Sequence, residues 1–260
     1  MLLATCSPKD LKKSVHESYE RNASSSNINN VYQRLENLNV PISKLLDVVD
    51  LEADGNVLLD LGTGWGVVAI AATKRYRNKF LAVGLDFSPA CLKLAKKTIK
   101  DLGLTNINLI LGDAESLPLK DHVLDVVVSQ ATLNLVPNKL KVFSELARVL
   151  KEGAVLAFSD SIKKEEINQK SLDLWCRCIT GALTTDEYER IMKLCGLAVE
   201  DVGDLTDVVR DLVEAGKWSW PEFLEHDLGY LVVRARKTVS TSVRAGRNNE
   251  DESGLVRRKF

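Results

Sequence analysis

The chain has 260 residues, enough for one large α/β domain. Apolar residues make up 45% and charged residues 27%, which excludes a mainly disordered, collagen-like or disulfide-scaffold protein. Thirty-five basic residues face 36 acidic ones, and the resulting net charge of −1 gives no global pull toward nucleic acid or anionic membranes.

No uninterrupted apolar run reaches the ~18 residues of a membrane span. Cys6, Cys91, Cys176, Cys178 and Cys195 form no CxxC pair and no zinc spacing, so a reducing, cytoplasmic setting without a metal site is expected. The opening Met1-Leu2-Leu3-Ala4-Thr5-Cys6 lacks the basic segment and apolar core of a leader.

Residues 8–50 carry apolar residues at helical spacing, with Ser7-Pro8 as a start and Ala23 to Asn27 as a loop. Val57 to Leu61 is a short apolar run that predicts a buried strand, followed by a helix from Val67 to Tyr76. A second strand over 80–85 ends at Asp86. Ser88-Pro89 then opens a helix that Gly103 closes. Strands are expected at 107–111, 124–129 and 155–158, with a helix at 138–150 between the last two. Beyond Ser159 the pattern predicts helices at 164–176, 184–194 and 207–216, and strands at 197–203 and 229–235. Residues 238–260 lack apolar periodicity and read as a mobile tail. Strands alternating with helices imply a mostly parallel sheet covered on both faces.

Asp60-Leu61-Gly62-Thr63-Gly64-Trp65-Gly66 joins the first strand to its helix. Glycines there let the backbone turn sharply and let a ligand approach at the carboxyl edge of the sheet. The dinucleotide fingerprint would need glycine where Val67 stands, and the P-loop ending is absent. Asp60 at the loop mouth would repel a pyrophosphate and suit an ammonium group, which points to a positively charged aminoacyl nucleoside. Asp86 stands 20 residues after Gly66, a spacing suited to ribose hydroxyls, and Asp113 ends the third strand where it can accept from an adenine amino group.

These residues resemble the class I S-adenosylmethionine-dependent methyltransferases over about residues 55–160. Gly112-Asp113-Ala114-Glu115 resembles that family's adenine-side segment, and Arg148-Val149-Leu150-Lys151-Glu152-Gly153 its turn before the fifth strand, with Glu152 in place of the usual proline. The resemblance implies a Rossmann-like sheet of seven strands, one antiparallel, supplied by residues 229–235. It implies an N-terminal helical cap at 1–50, a methyltransferase domain at 51–237 and a substrate lid at 160–227. It further implies that S-adenosylmethionine is held by Tyr19, Asp60, Gly62, Thr63, Gly64, Gly66, Asp86, Phe87, Asp113, Ala114 and Gln130.

A narrower resemblance links Asn134-Leu135-Val136-Pro137-Asn138-Lys139, Phe158-Ser159-Asp160 and Cys178-Ile179-Thr180-Gly181-Ala182-Leu183 to the arsenite methyltransferase family. There Cys178 matches an arsenic-binding cysteine, whereas the family's N-terminal cysteine pair has no counterpart. Cys178 and Asn134 are the expected catalytic residues, and Gln130 and Asn134 either orient ligands or cap the helix at Asn138. His16, His122 and His226 have no neighbours that mark a base. The expected reaction is methylation of a small molecule, with a quinone precursor as the rival acceptor and a non-catalytic binding module as the rival class. Neither a nucleic-acid nor a membrane partner is expected.

Overall fold

The computed structural model describes residues 6–36, 40–49, 51, 55–77, 79–167 and 171–239. From residue 240 onward the expected tail lies outside the described residues.

Three helices come first: α1 (Pro8–Ser24), α2 (Ile28–Glu36) and α3 (Val40–Asp47). Ser7 and Asp10 form a reciprocal capping box that starts α1, each satisfying a backbone N–H the helix leaves free. Next come β1 (Val57–Leu61), α4 (Val67–Arg75), β2 (Leu81–Asp86), α5 (Pro89–Asp101), β3 (Ile107–Leu111), β4 (Leu124–Gln130), α6 (Lys139–Val149) and β5 (Leu150–Ile162). The last third holds α7 (Leu172–Cys176), α8 (Thr185–Leu194), β6 (Leu197–Asp204), α9 (Thr206–Glu214), α10 (Pro221–Glu225) and β7 (Gly229–Lys237).

The seven strands form one sheet in the order β3-β2-β1-β4-β5-β7-β6. Strands β1 to β5 are parallel, and β7 runs antiparallel to both β5 and β6. This is the Rossmann-like arrangement expected from the sequence, with β7 as the reversed strand. One face is filled by Leu59, Leu61, Val127, Leu156 and Phe158 against Phe143 and Tyr188. The other is filled by Leu58, Ala82, Val126 and Val128 against α3, α4 and α5. Burial on both faces explains why these strands read as continuous apolar runs rather than alternating ones.

Three local expectations change. The helix over 164–176 shrinks to one short helix, α7, because Lys164, Glu165 and Glu166 supply no apolar stripe and Ser171 caps a later start, accepting from the Leu174 N–H. Strand β5 runs back to Leu150, through a register shift opposite Leu124 and Val126, with Gly153 at φ +75°. Helix α10 was not foreseen, although Pro221 occupies its first turn. Within 160–227, α8 and β6 pack into the body of the sheet rather than forming a lid. No helix among the described residues is long and apolar enough to cross a membrane.

Candidate active site

The carboxyl ends of β1, β2 and β3 open onto a cavity of about 1220 Å³. The loop after β1 is pulled toward β2, since the Gly62 and Thr63 N–H groups both donate to the Leu85 carbonyl at 2.8 and 2.9 Å. Gly62 has φ +70°, and a Cβ there would lie 2.2 Å from Thr132 Oγ1, so only glycine fits. Gly64 has φ +53° and, unlike Gly62, open space where a side chain would be. That gap lets a ligand touch the backbone.

Two residues of the motif stand elsewhere than expected. Gly66 does not line the cavity; it begins α4 in the left-handed conformation, and its bare α-carbon lies against Ala95 of α5. Asp60 is buried behind the loop and does not line the cavity either. Its Oδ2 accepts from Thr63 Oγ1 at 2.6 Å and from the Ala69 N–H at 3.0 Å. Burial pushes its pKa up to about 6 against those two hydrogen bonds. Asp60 thus braces the loop to α4, and the direct contact with an ammonium group expected of it is corrected.

Asp86 is buried at the end of β2 and lines the cavity. One carboxylate oxygen accepts from the Gly64 N–H at 2.8 Å and the other from the Ser88 N–H at 2.9 Å. An ionised carboxylate has about four lone-pair positions, so two remain for ligand hydroxyls. Burial raises its pKa despite these backbone bonds. Asp113 is half-exposed and pairs with Lys12 of α1 at 2.6 Å; Lys12 also reaches Glu115 at 2.9 Å. Partial burial works to raise the Asp113 pKa, but the Lys12 contact, the Glu115 N–H and the charge of Lys141 together hold the carboxyl below its usual range. Thr63, Phe87, Ala114 and Gln130 line the same cavity, as does Tyr19 from α1. A second tie holds α1 in place: Glu20 accepts from Ser88 Oγ at 2.6 Å and from the Ala90 N–H at 3.0 Å.

Beyond β4 neither expected catalytic residue lines the cavity. Asn134 is fully buried, and its side-chain amide donates to Asp160 Oδ1 at 2.8 Å and to the Ser161 carbonyl at 2.7 Å. Its side-chain oxygen accepts from Tyr188 at 2.6 Å. Lys139, also buried, donates to the carbonyls of Asn134 and Val136 at 2.9 and 2.7 Å. Burial pushes Asp160 up to about 7, against its bond from Asn134 and the charge of Lys139, and brings Lys139 down to about 8. Asn134 is therefore the hub of a buried network that clamps 133–136, not a group facing substrate; with all its polar atoms used inside, it has none left for the cavity.

Cys178 is buried too, in the left-handed conformation (φ +62°), with its thiol 3.5 Å from the Ala131 carbonyl. Burial and the nearby Asp160 charge raise its pKa well above the thiol range. It does not line the cavity, whereas Cys176 does. Cys178 packs against Val15, Tyr19, Ala131, Leu135 and Cys176, all of which line the cavity, so it stands directly behind the wall rather than in it. Ala131 (φ +52°) is left-handed as well, so two non-glycine residues in an unusual conformation touch at this wall.

Sequence reasoning missed the wall built by Arg34, Leu212, Lys217 and Trp218. Their local sequences carry no motif; only the fold brings α2 and the segment after α9 to the sheet edge. Asp160 had a legible signal, an acidic residue near the carboxyl end of a strand like Asp60 and Asp86. Among the described residues no histidine lines the cavity, and no three His, Cys, Asp or Glu side chains stand where they could hold a metal ion.

A family profile described as a methyltransferase domain matches residues 52–196. The chain is similar to the arsenite methyltransferase of Halobacterium salinarum, 28% identical over 195 residues, covering 71% of this chain and 47% of that protein. It is also similar to the demethylmenaquinone methyltransferase of Listeria welshimeri, 35% identical over 107 residues, 41% of this chain and 45% of that one. The chain thus spans less than half the length of both curated relatives. Among solved structures, geranyl diphosphate C-methyltransferase from Streptomyces coelicolor shares the fold, with TM-score 0.66 and 17% identity over 76% of this chain and 78% of that one.

Proposed function

The chain belongs to the methyltransferase domain family, the class I S-adenosylmethionine-dependent methyltransferases, and from that premise we propose that it transfers a methyl group to a small organic molecule. The observation that carries this reading is the single cavity shared by Gly62, Gly64, Asp86, Asp113 and Tyr19 on one side and Ala131, Leu135, Cys176 and Trp218 on the other. One ligand and a second small molecule fit side by side in such a volume.

The residues fit S-adenosylmethionine. Gly64 leaves a cradle that any Cβ would fill, and Asp86 retains acceptor capacity for ribose hydroxyls. Asp113 and Ala114 flank the adenine side; Asp113 accepts the amino group once Lys12 shares it. The cofactor, when bound, supplies a sulfonium methyl that is already activated. This chain's task is then to align an acceptor and exclude water. Tyr19 and Phe87 cover the site, while Leu135, Val136 and Trp218 give the acceptor an apolar surround.

A second reading, trivalent arsenic as acceptor, is favoured by the Halobacterium relative and by Cys176 in the cavity wall. Against it stand the buried thiol of Cys178 and the fact that, among the described residues, no three His, Cys, Asp or Glu side chains stand together where they could hold a metal ion, although Cys91 also lines the cavity. An organic acceptor agrees better with a mainly apolar wall.

Calorimetry with S-adenosylhomocysteine should show binding, and a labelled-methyl screen of small-molecule extracts should yield a labelled organic product. Absence of binding at millimolar ligand defeats the methyltransferase reading. Transfer to arsenite with thiols present, and to no organic compound, defeats the choice of acceptor.

A further inference from the structure

Among the described residues, four aromatic side chains line the cavity. Tyr19 on α1, Trp65 in the glycine loop and Phe87 after β2 stand on the cofactor's side, and Trp218 alone stands on the other wall. Local structure fixes its indole. Gly216 turns the chain at φ +66° after α9, and the N–H groups of Lys217 and Trp218 both donate to the Leu212 carbonyl, at 2.9 and 3.0 Å. The ring then meets two others: Trp220, 5.5 Å away between centroids and tilted by 36°, and Tyr230, edge-on at 5.9 Å. Trp220 packs in turn on Phe223 at 5.2 Å, and both Phe223 and Tyr230 are buried. Two contacts tie this stack to the wall after β4. Trp220 packs against the cluster of Val15, Leu135 and Cys178, and the Tyr230 hydroxyl accepts from the Gln130 amide at 3.2 Å. Gln130 and Leu135 line the cavity beside it.

A half-buried indole held in this way loses little freedom when a ligand arrives. It offers a flat partner to another ring, which gains offset or edge contacts beyond simple area burial. An aromatic face also attracts cations, but Lys217, which lines the same cavity, and the sulfonium of the cofactor disfavour a further positive charge there. We propose that Trp218 determines acceptor specificity by selecting an uncharged, planar aromatic ring. This rests on the methyltransferase reading and narrows its acceptor.

The test uses the protein loaded with S-adenosylhomocysteine and two probes of one skeleton, 2-naphthol and its saturated analogue decahydro-2-naphthol, with tetramethylammonium as the cationic control. In wild type 2-naphthol should bind at least about threefold more tightly than the saturated compound in calorimetry. Trp218→Leu should weaken 2-naphthol by about threefold to tenfold and the saturated compound by less than about twofold, while Trp218→Phe keeps most of the preference. Unchanged S-adenosylhomocysteine affinity in both variants shows that they fold. The proposal is overturned if wild type ignores 2-naphthol at millimolar concentration or binds the saturated compound as well. Equal weakening of both compounds in Trp218→Leu reduces the indole to apolar filling, and tighter binding of tetramethylammonium than of 2-naphthol makes the site a cation cage; either result overturns it and leaves the methyltransferase reading standing. If wild type does not bind S-adenosylhomocysteine, that reading falls and the proposal falls with it.

Discussion

The two walls of the cavity use polar residues in opposite ways. After β1, β2 and β3 the chain turns backbone N–H groups and carboxylates toward the space, with Asp86 and Gly64 linked to each other and still open to a ligand. After β4 and β5 the polar side chains Asn134, Asp160, Ser161 and Tyr188 turn inward and satisfy one another, leaving Ala131, Leu135, Val136 and Pro137, with Gln130 and Thr132, to face the cavity. The first wall binds with its own polar groups. The second uses most of them as scaffolding and presents a mainly apolar surface. A buried network of this kind is favourable only when complete, so its members are sensitive to change even though none touches a ligand.

That contrast breaks hardest at Asn134. Asn134→Ala should lower unfolding free energy by about 3 kcal/mol or more, because several buried partners lose a hydrogen bond at once. Urea unfolding measures it, and a change under about 1 kcal/mol would return Asn134 to the list of ligand contacts. Asp86→Ala should act on the other wall, weakening S-adenosylhomocysteine by about 1.5–3 kcal/mol in calorimetry. An unaltered affinity would remove the carboxylate from the ribose position.

The network should also show in pH. Asp160 has its pKa raised by burial to about 7 in the fold. A raised carboxyl favours folding while protonated, so its contribution is full below the usual carboxylate range and is lost as pH rises through about 7. Unfolding followed from pH 4 to 8 should lose stability toward neutrality more steeply in wild type than in Asp160→Asn, and equal slopes would contradict the burial argument. Among thiols, Cys176 should react with iodoacetamide before Cys178, and S-adenosylhomocysteine should slow it, as mass spectrometry of the labelled peptide can tell. The smallest effect belongs to Lys12→Ala. Its pair with Asp113 is part-exposed, and about 0.5–1 kcal/mol of stability is expected to go.

The first wall was legible because its chemistry depends on residue type at fixed distance from a strand end. Glycine at 62 and 64 and aspartate at 86 have few other reasons to stand there. Even so, the sequence did not separate Gly64, which faces the ligand space, from Gly66, which packs α4 on α5. Asp60 looked like a ligand contact because spacing places it near the mouth, yet two hydrogen bonds aim it backward. Asn134 and Cys178 misled in the same manner. Their neighbourhood was right, but whether a side chain points into a cavity or a core is decided by partners distant in sequence, such as Asp160 and Tyr188. The Arg34, Lys217 and Trp218 wall left no local trace, since its members come from α2 and from the segment after α9, far apart in the sequence.

The ties of α1 bear on how the protein can be divided. The family profile begins at residue 52, but Lys12, Val15 and Tyr19 belong to the cavity wall, and Glu20 occupies the start of α5. A fragment whose start is trimmed to residue 52 would keep all seven strands and lose one side of its binding space. Inheritance of the sheet and inheritance of the site are therefore separable here. Swapping α1 to α3 between relatives would exchange part of the recognition surface without touching the glycine loop, which makes this segment a natural module for changing what the common core accepts.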